Sequence, residues 1–176
     1  MTKSINVVMP AAGQGVRFHE LGRQYPKCIL PFQEKPIIVH NISKLLKIKN
    51  LDKITIITGH QSKKVIDVVT TYFSNEVKSK KIIFREYAEI NKNFGPAVSI
   101  FLGLESKETC ILIILSDILL DFDPSEFDFS SSFVSVNQVP DWERWCMVKH
   151  NQDEKLLFYD KPQKKPDTNL ALSGIY

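Results

Sequence analysis

Two glycines, an arginine and a lysine stand close together in the stretch VVMPAAGQGVRFHELGRQYPKCILPF, residues 7–32. Their types suit the binding of phosphate groups. Gly13 and Gly15 permit positive φ and let a phosphate approach the backbone, so that several N–H groups can converge on one anion. Arg17 adds a planar cationic fork, and Lys27 adds a mobile point charge. The same residues also suit a structural turn carrying a surface arginine and lysine, and G-x-G-x-R alone leaves both open. A Walker A loop is excluded because G-x-x-x-x-G-K-[ST] is absent. The third glycine of a dinucleotide fingerprint is missing too, since position 18 is Phe.

A second candidate is Asp117, which follows the apolar run CILIIL in CILIILSD. Ligands of open α/β sheets bind beyond the carboxyl ends of the strands. A carboxylate there could hold Mg²⁺ against a triphosphate, because Mg²⁺ takes oxygen ligands and keeps several waters. A turn or capping aspartate is the plainer alternative. Asp121, Asp123 and Asp128 follow in DFDPSEFDFSSS and read as solvated loop residues. Lys161, in YDKP, stands where a strand meets a proline turn and could reach a second anionic group; by itself it reads as a surface lysine.

The elements that must position these residues alternate. The β-branched run INVVM (5–9), bounded by Pro10, reads as a buried strand, and KITIITG (53–59) as a second one. KIIFREY and CILIILSD add a third and a fourth. Between them, Ile38, Ile42, Leu45 and Leu46 keep helical spacing after Pro36, and Val65, Val68, Val69, Tyr72 and Phe73 do the same. PAVSIFLGLES reads as a third helix, although Gly103 weakens it by about 1 kcal/mol relative to Ala. Strands as continuously apolar as 110–115 need cover on both faces. The expected fold is therefore α/β, a mostly parallel, doubly wound sheet with helices on both faces. After Asp117 the pattern changes. FVSVNQV, WCMVKH, KLLFYD and LALSGIY read as short strands of a mixed, partly antiparallel half without a strong helix. The expected organisation is one domain over 1–176, with a nucleotide-binding half at 1–120 and a second half at 121–176. The chain stops at Tyr176 inside what reads as a strand, so further residues are expected beyond it.

Composition bounds the partners. A net charge of +3 without an arginine- or lysine-rich tract argues against nucleic-acid binding. No run approaches 18 apolar residues and the N-terminal apolar run is too short for a signal peptide, so no membrane partner is expected. Three widely spaced cysteines, Cys28, Cys110 and Cys146, have no metal-type spacing and point to a reducing compartment, read as the cytoplasm. A homo-oligomer is compatible with everything in the sequence.

Taken together and in order, these pieces resemble the nucleoside-triphosphate-dependent nucleotidyltransferases that activate sugar 1-phosphates. MPAAGQGVRF and YPKCILPFQEKPIIVH are similar to the family's A-[AG]-G-x-G-x-R and P-K-x-L-[LI]-P segments. FGPAVSI is similar to its G-x-A-x-[AS] segment, and LSDIL to its G-D-[NI] segment. The stretch from WCMVKH through YDKP to ALSGIY looks like the family's closing motifs, so the resemblance runs over essentially the whole chain.

The resemblance implies a Rossmann-like fold of the glycosyltransferase-A type, with the mixed half binding the acceptor. It implies the reaction NTP + sugar 1-phosphate → NDP-sugar + pyrophosphate, with Mg²⁺ as cofactor and CTP, UTP or dTTP as nucleotide, serving surface polysaccharide or capsule synthesis. Ala11, Ala12 and Gly13 would border base and ribose; Gly15 and Arg17 would embrace the β- and γ-phosphates; Gly95 would lie against the base. Lys27 would bind the acceptor phosphate and the α-phosphate, Asp117 would ligate Mg²⁺, and Lys161 would position the acceptor phosphate, with Asp160 and Gly174 near the acceptor.

Four features depart from the family. Its base-reading glutamine is Ile90 here, with Asn91 or Asn93 as substitutes. Cys146 stands where a glycine borders the acceptor and would reshape that pocket. The acid of E-K-P is the shorter Asp160. The second metal-binding aspartate falls beyond Tyr176. These departures keep open a cytidylyltransferase acting on phosphocholine or another small non-sugar phosphate, such as a phosphorylated amino-acid derivative. Other classes compatible with the residues are a nucleotide-binding module without turnover and a glycosyltransferase using Asp121 and Asp123 as a D-x-D motif.

Overall fold

The computed structural model describes residues 4–13, 15, 19–87, 96–104, 110–151 and 155–176. The chain falls into two compact units, Met1–Ser130 and Ser131–Tyr176.

The first unit is built on a four-stranded parallel sheet of β1 (Ile5–Ala11), β4 (Leu51–Thr58), β5 (Ile82–Glu86) and β6 (Cys110–Ile113), in the order β5-β4-β1-β6. β1 is central. It pairs with β4 from Ile5↔Leu51 to Ala11↔Thr58 and with β6 from Ile5↔Cys110 to Val8↔Ile113. Parallel neighbours need crossovers, and helices supply them. α2 (Ile37–Leu45) leads into β4, α3 (Ser62–Tyr72) and α4 (Ser74–Lys78) lead into β5, and α5 (Pro96–Gly103) precedes β6. Val7, Val8, Met9, Ile54, Ile56 and Ile57 are fully buried, as are Ile38, Ile42 and Leu45 of α2 and Val65 and Val69 of α3. The doubly wound expectation for this half is met.

Local differences have local causes. The first strand runs on through Pro10 to Ala11 instead of ending at Met9. Ile114 N–H donates to the Val8 carbonyl on the β6 side, and two residues later the Pro10 carbonyl accepts from Ser116 Oγ. By the period of two, the N–H that Pro10 lacks would face β6 beyond the end of that ladder. Proline is therefore tolerated in a central strand. Gly103, which weakens α5 by propensity, is where the helix meets the sheet. A Cβ on Gly103 would run into the Val8 side chain, so the missing side chain lets α5 lie close on β1. The apolar spacing from Val65 to Phe73 is split, because the helix breaks at buried Phe73 (φ −131°) and restarts as α4. β6, expected to be covered on both faces, is an edge strand among the described residues, with Ile111 36% exposed.

Two short elements link the first loop to α2. α1 (His19–Gln24) precedes a 3₁₀ turn at Lys27–Ile29, and β2 (Pro31–Phe32) pairs with β3 (Lys35–Pro36). Gln33 and Glu34 both have positive φ (44° and 69°), the signature of a type I′ hairpin turn. At the far end of the unit, Asp123 caps a 3₁₀ turn at Pro124–Glu126 by accepting from Ser125 N–H.

The second unit is a four-stranded antiparallel sheet of β7 (Val136–Gln138), β8 (Cys146–His150), β9 (Leu156–Asp160) and β10 (Leu170–Leu172), ordered β7-β10-β8-β9. Its core holds Met147, Val148, Ala171 and Ile175. All five residues of β9 are exposed, as befits a strand at the sheet edge.

Candidate active site

The phosphate-binding candidates of the first unit that lie among the described residues, Gly13, Gly15, Lys27 and Asp117, are near the carboxyl ends of β1 and β6. β1 ends at Ala11, and Ala12 and Gly13 continue the chain there. Gly15 has φ 63°, a conformation that side chains disfavour. A Cβ on it would lie 3.3 Å from Gly22 Cα and 3.6 Å from Lys27 Cγ. Gly15 thus lies close against Gly22 of α1 and the aliphatic stem of Lys27. The 3₁₀ turn that follows buried Pro26 delivers Lys27, whose Nζ stands 3.6 Å from Asp117 Oδ2, just past β6. Both side chains are partly exposed, 28% and 42%. Residues 90 sequence positions apart thereby place a cation and a carboxylate together where this sheet type binds ligands.

The residues next in sequence to this pair, Cys28 and Ser116, are buried. Cys28 is 2% exposed, and burial pushes its thiol up to about 12; the Asp117 carboxylate adds to the rise, while a hydrogen bond with Ser116 opposes it. Cys28 is a neutral packing residue, since a nucleophilic cysteine needs its thiolate. Ser116 Oγ donates to the Pro10 carbonyl at 2.7 Å and so ties the end of β6 to β1.

Three residues that the sequence reading missed support the chain around Ala12 and Gln24. The His60 N–H donates to the Ala12 carbonyl at 3.4 Å, and Gly59 lies so near that a Cβ would be 2.8 Å from Ala12 Cβ. Lys64, in the first turn of α3, donates to the Gln24 carbonyl at 2.5 Å and stands 4.5 Å over the Tyr25 ring. A glycine closing an apolar strand was the available signal for Gly59; Lys64 looks like any exposed helical lysine. Asp123 and Asp128, with carboxyls held low by hydrogen bonds from Ser125 and Ser130, are turn residues, as expected.

Arg17, Asn91 and Gly95, together with Ile90 and Asn93, lie outside the described residues. Among the described residues no group of three or more His, Cys, Asp or Glu could hold a metal ion. A lone carboxylate fits a Mg²⁺ that arrives on a triphosphate and keeps its waters, and does not fit a cation caged by protein alone.

The acceptor candidates lie in the second unit. Cys146 pairs directly with Asp160 across β8 and β9, so the two share a face. Partial burial raises the Cys146 thiol, and Asp160 raises it further. Tyr176, absent from the expected set, joins them: burial and then Cys146 raise its phenol. Lys161 follows with φ 42°, its N–H donating to the Trp145 carbonyl at 3.1 Å, so the chain turns sharply after β9. Gly174 has φ 90° and is buried just before Ile175. A cavity of about 450 Å³ in this unit is lined by residues including Lys149, Tyr159, Lys164, Lys165 and Asp167. Lys149 and Tyr159 are on the opposite face of the β8–β9 ladder from Cys146 and Asp160, so this cavity is distinct from the expected acceptor residues.

The family model described as "Nucleotidyl transferase" matches residues 5–176. The chain belongs to that family. The chain is 28% identical over 174 residues to the "Bifunctional protein GlmU" of Methanococcus maripaludis, an alignment covering 98% of this chain and 39% of GlmU. It thus spans about two fifths of the length of the curated relatives it matches. Among solved structures, a UDP-glucose pyrophosphorylase complexed with UDP-glucose aligns with a TM-score of 0.73 and 21% identity, over 98% of this chain and 75% of that one. The CTP:phosphocholine cytidylyltransferase LicC of Streptococcus pneumoniae aligns at 0.68 and 18%, over 98% and 69%. These likenesses establish that the chain shares their Rossmann-like fold. No helix among its described residues is long and apolar enough to cross a membrane.

Proposed function

We propose that this chain condenses a nucleoside triphosphate with a sugar 1-phosphate to give an NDP-sugar and pyrophosphate. The observation that carries this is the Lys27–Asp117 pair at the carboxyl ends of the strands, with Gly15 closed on the Lys27 stem. In the reaction an acceptor phosphate oxygen attacks the α-phosphorus, the bond from that phosphorus to the bridging oxygen breaks, and pyrophosphate leaves. The attacking phosphate is already anionic, so the protein's work is positioning and charge neutralisation. Lys27 reaches the α-phosphate and acceptor phosphate, Gly15 and Arg17 hold the β- and γ-phosphates, and Ala11, Ala12, Gly13, Asn91 and Gly95 border the nucleoside. Asp117 and the triphosphate would hold Mg²⁺, which neutralises charge building on the leaving group. Lys161 and Asp160 orient the acceptor, with Gly174 beside it. The proposed setting is the reducing cytoplasm, on the cysteine pattern, and surface polysaccharide or capsule synthesis, on the sequence resemblance alone.

A specific observation favours a second reading. Cys146, where a glycine is expected, is partly buried and pairs with Asp160 across β8 and β9, so its side chain takes up room that a glycine would leave to the acceptor. That suits a small non-sugar phosphate, as does the likeness to a phosphocholine enzyme.

The test is pyrophosphate release with Mg²⁺, pairing each of CTP, UTP, dTTP, GTP and ATP with glucose 1-phosphate and with phosphocholine. Release with a sugar 1-phosphate supports the first reading, and release with CTP and phosphocholine alone supports the second. Nucleotide binding without release from any acceptor would leave a binding module.

A further inference from the structure

Asp117 is held from a distance. The carboxylate is partly exposed, but the backbone on either side of it is fixed. Upstream, Ser116 Oγ is bonded to the Pro10 carbonyl. Downstream, the side chain of Asn41 makes two hydrogen bonds to the turn: Nδ2 donates to the Ile118 carbonyl at 2.7 Å, and Oδ1 accepts from Leu120 N–H at 3.0 Å. Asn41 is fully buried in the middle of α2. One amide thus satisfies a carbonyl and an N–H that the turn cannot pair within itself. Two lysines, Lys44 in the last turn of α2 and Lys47 just past its end, add to the grip. Lys44 Nζ donates to the Leu120 carbonyl at 2.6 Å, and Lys47 reaches Asp123 at 3.3 Å.

A helix interior is a poor place for asparagine, and a fully buried one is unusual unless both ends of its amide are paired. An apolar residue would fill the position with better helix propensity. The geometry points to Asn41 as a positioning residue for Asp117: it fixes the backbone of residues 118–120, so that the Asp117 carboxylate meets the metal-bearing triphosphate without reorganising. This rests on the proposed role of Asp117. It concerns a different element, α2, and a residue type that contacts no substrate. A carboxylate ordered in advance binds its cation more tightly than one on a loose turn, so metal affinity is the quantity that registers it.

The variants are Asn41→Leu, which keeps the branched shape at a larger volume and removes both bonds, and Asn41→Asp, which keeps the acceptor for Leu120 N–H and loses the donor to Ile118. Ile42→Val is the control, a core truncation on the same helix that removes no hydrogen bond to the turn. Each is titrated with Mn²⁺, followed by the electron spin resonance of the free ion, together with whichever of the five nucleotides raises the melting temperature most. The expected result is roughly tenfold weaker Mn²⁺ binding for Asn41→Leu, with nucleotide affinity in EDTA unchanged. Asn41→Asp should recover part of the loss, and Ile42→Val should match the wild type. Wild-type Mn²⁺ affinity in Asn41→Leu, or an equal loss in Ile42→Val, overturns the inference. Should Asn41→Leu fail to fold, wild-type affinity in Asn41→Asp overturns it instead. Amide exchange gives a reading without any ligand: the Leu120 amide should be as protected as those of β1 in the wild type, and exchange as fast as in an open loop overturns the clamp. A wild type that binds Mn²⁺ and nucleotide but releases no pyrophosphate defeats the proposed activity, while the Asn41 comparison still decides the positioning role.

Discussion

Lys27 and Asp117 are better placed for ligand than for stability. Their 3.6 Å pair is 28% and 42% exposed, and pairs of that kind contribute about 0–1 kcal/mol. Asp117→Ala should therefore leave the unfolding free energy within about 1 kcal/mol of the wild type. If Asp117 helps neutralise the leaving group, turnover should fall about 10²–10³-fold, as when one transition-state contact is removed. Steady-state pyrophosphate release beside a urea melt reads both quantities, and near-normal turnover would remove Asp117 from the site. Cys28, one residue beyond Lys27, behaves oppositely: it matters for packing and should never react. With a folded thiol at about 12 against an ordinary 9.0, the native state keeps its proton over a range where the unfolded chain loses it. Stability is then complete below pH 9 and falls as pH rises towards 12, by up to about 1.4 kcal/mol per pH unit. Cys28→Ala should flatten that alkaline limb in a pH series of urea melts, whatever it costs in packing.

At the scale of elements, the sheet is held together where small residues let backbones approach. α5 rests on β1 at Gly103, where a side chain would displace Val8. Gly103→Val should cost about 1–3 kcal/mol by overpacking, seen as a lower urea midpoint. If the helix can shift instead, the midpoint will hold. Gly59→Ala tests the loop in the same way: its Cβ would press on Ala12 at 2.8 Å, so nucleotide binding should weaken more than global stability. Equal losses in thermal shift and in nucleotide titration would make Gly59 a packing residue only. The alternation of strands and helices and the change of style in the second half were legible in the sequence because apolar period and punctuation carry them, and Asp117 was expected past a strand end, where it lies beside Lys27. The hairpin turn at Gln33 and Glu34 was not, because neither is a usual residue for positive φ; only the tight pairing of Phe32 with Lys35 imposes it. Neither was the grip of Asn41 and Lys64, since a side chain that bonds a carbonyl 77 or 40 residues away leaves no local pattern.

For the whole molecule, the question is whether the two units share one stability. The first contains nearly all of the core, whereas Ser131–Tyr176 buries mainly Met147, Val148, Ala171 and Ile175 and leaves the whole of β9 exposed. A unit that small is near the roughly 40-residue bound below which chains need disulfides, metals or partners. It has no disulfide, because all three cysteines are free. The chain's two tryptophans, Trp142 and Trp145, both belong to this unit, while every helix among the described residues belongs to the other. Tryptophan fluorescence and helical circular dichroism therefore report the units separately. In urea the fluorescence midpoint should come below the dichroism midpoint. A nucleotide with Mg²⁺ that binds the first unit should raise the dichroism transition, by about 2.7 kcal/mol at a hundred times its dissociation constant, and shift the fluorescence transition less. Coincident transitions at every nucleotide concentration would mean that the units fold as one, and that the antiparallel sheet takes its stability from the parallel one.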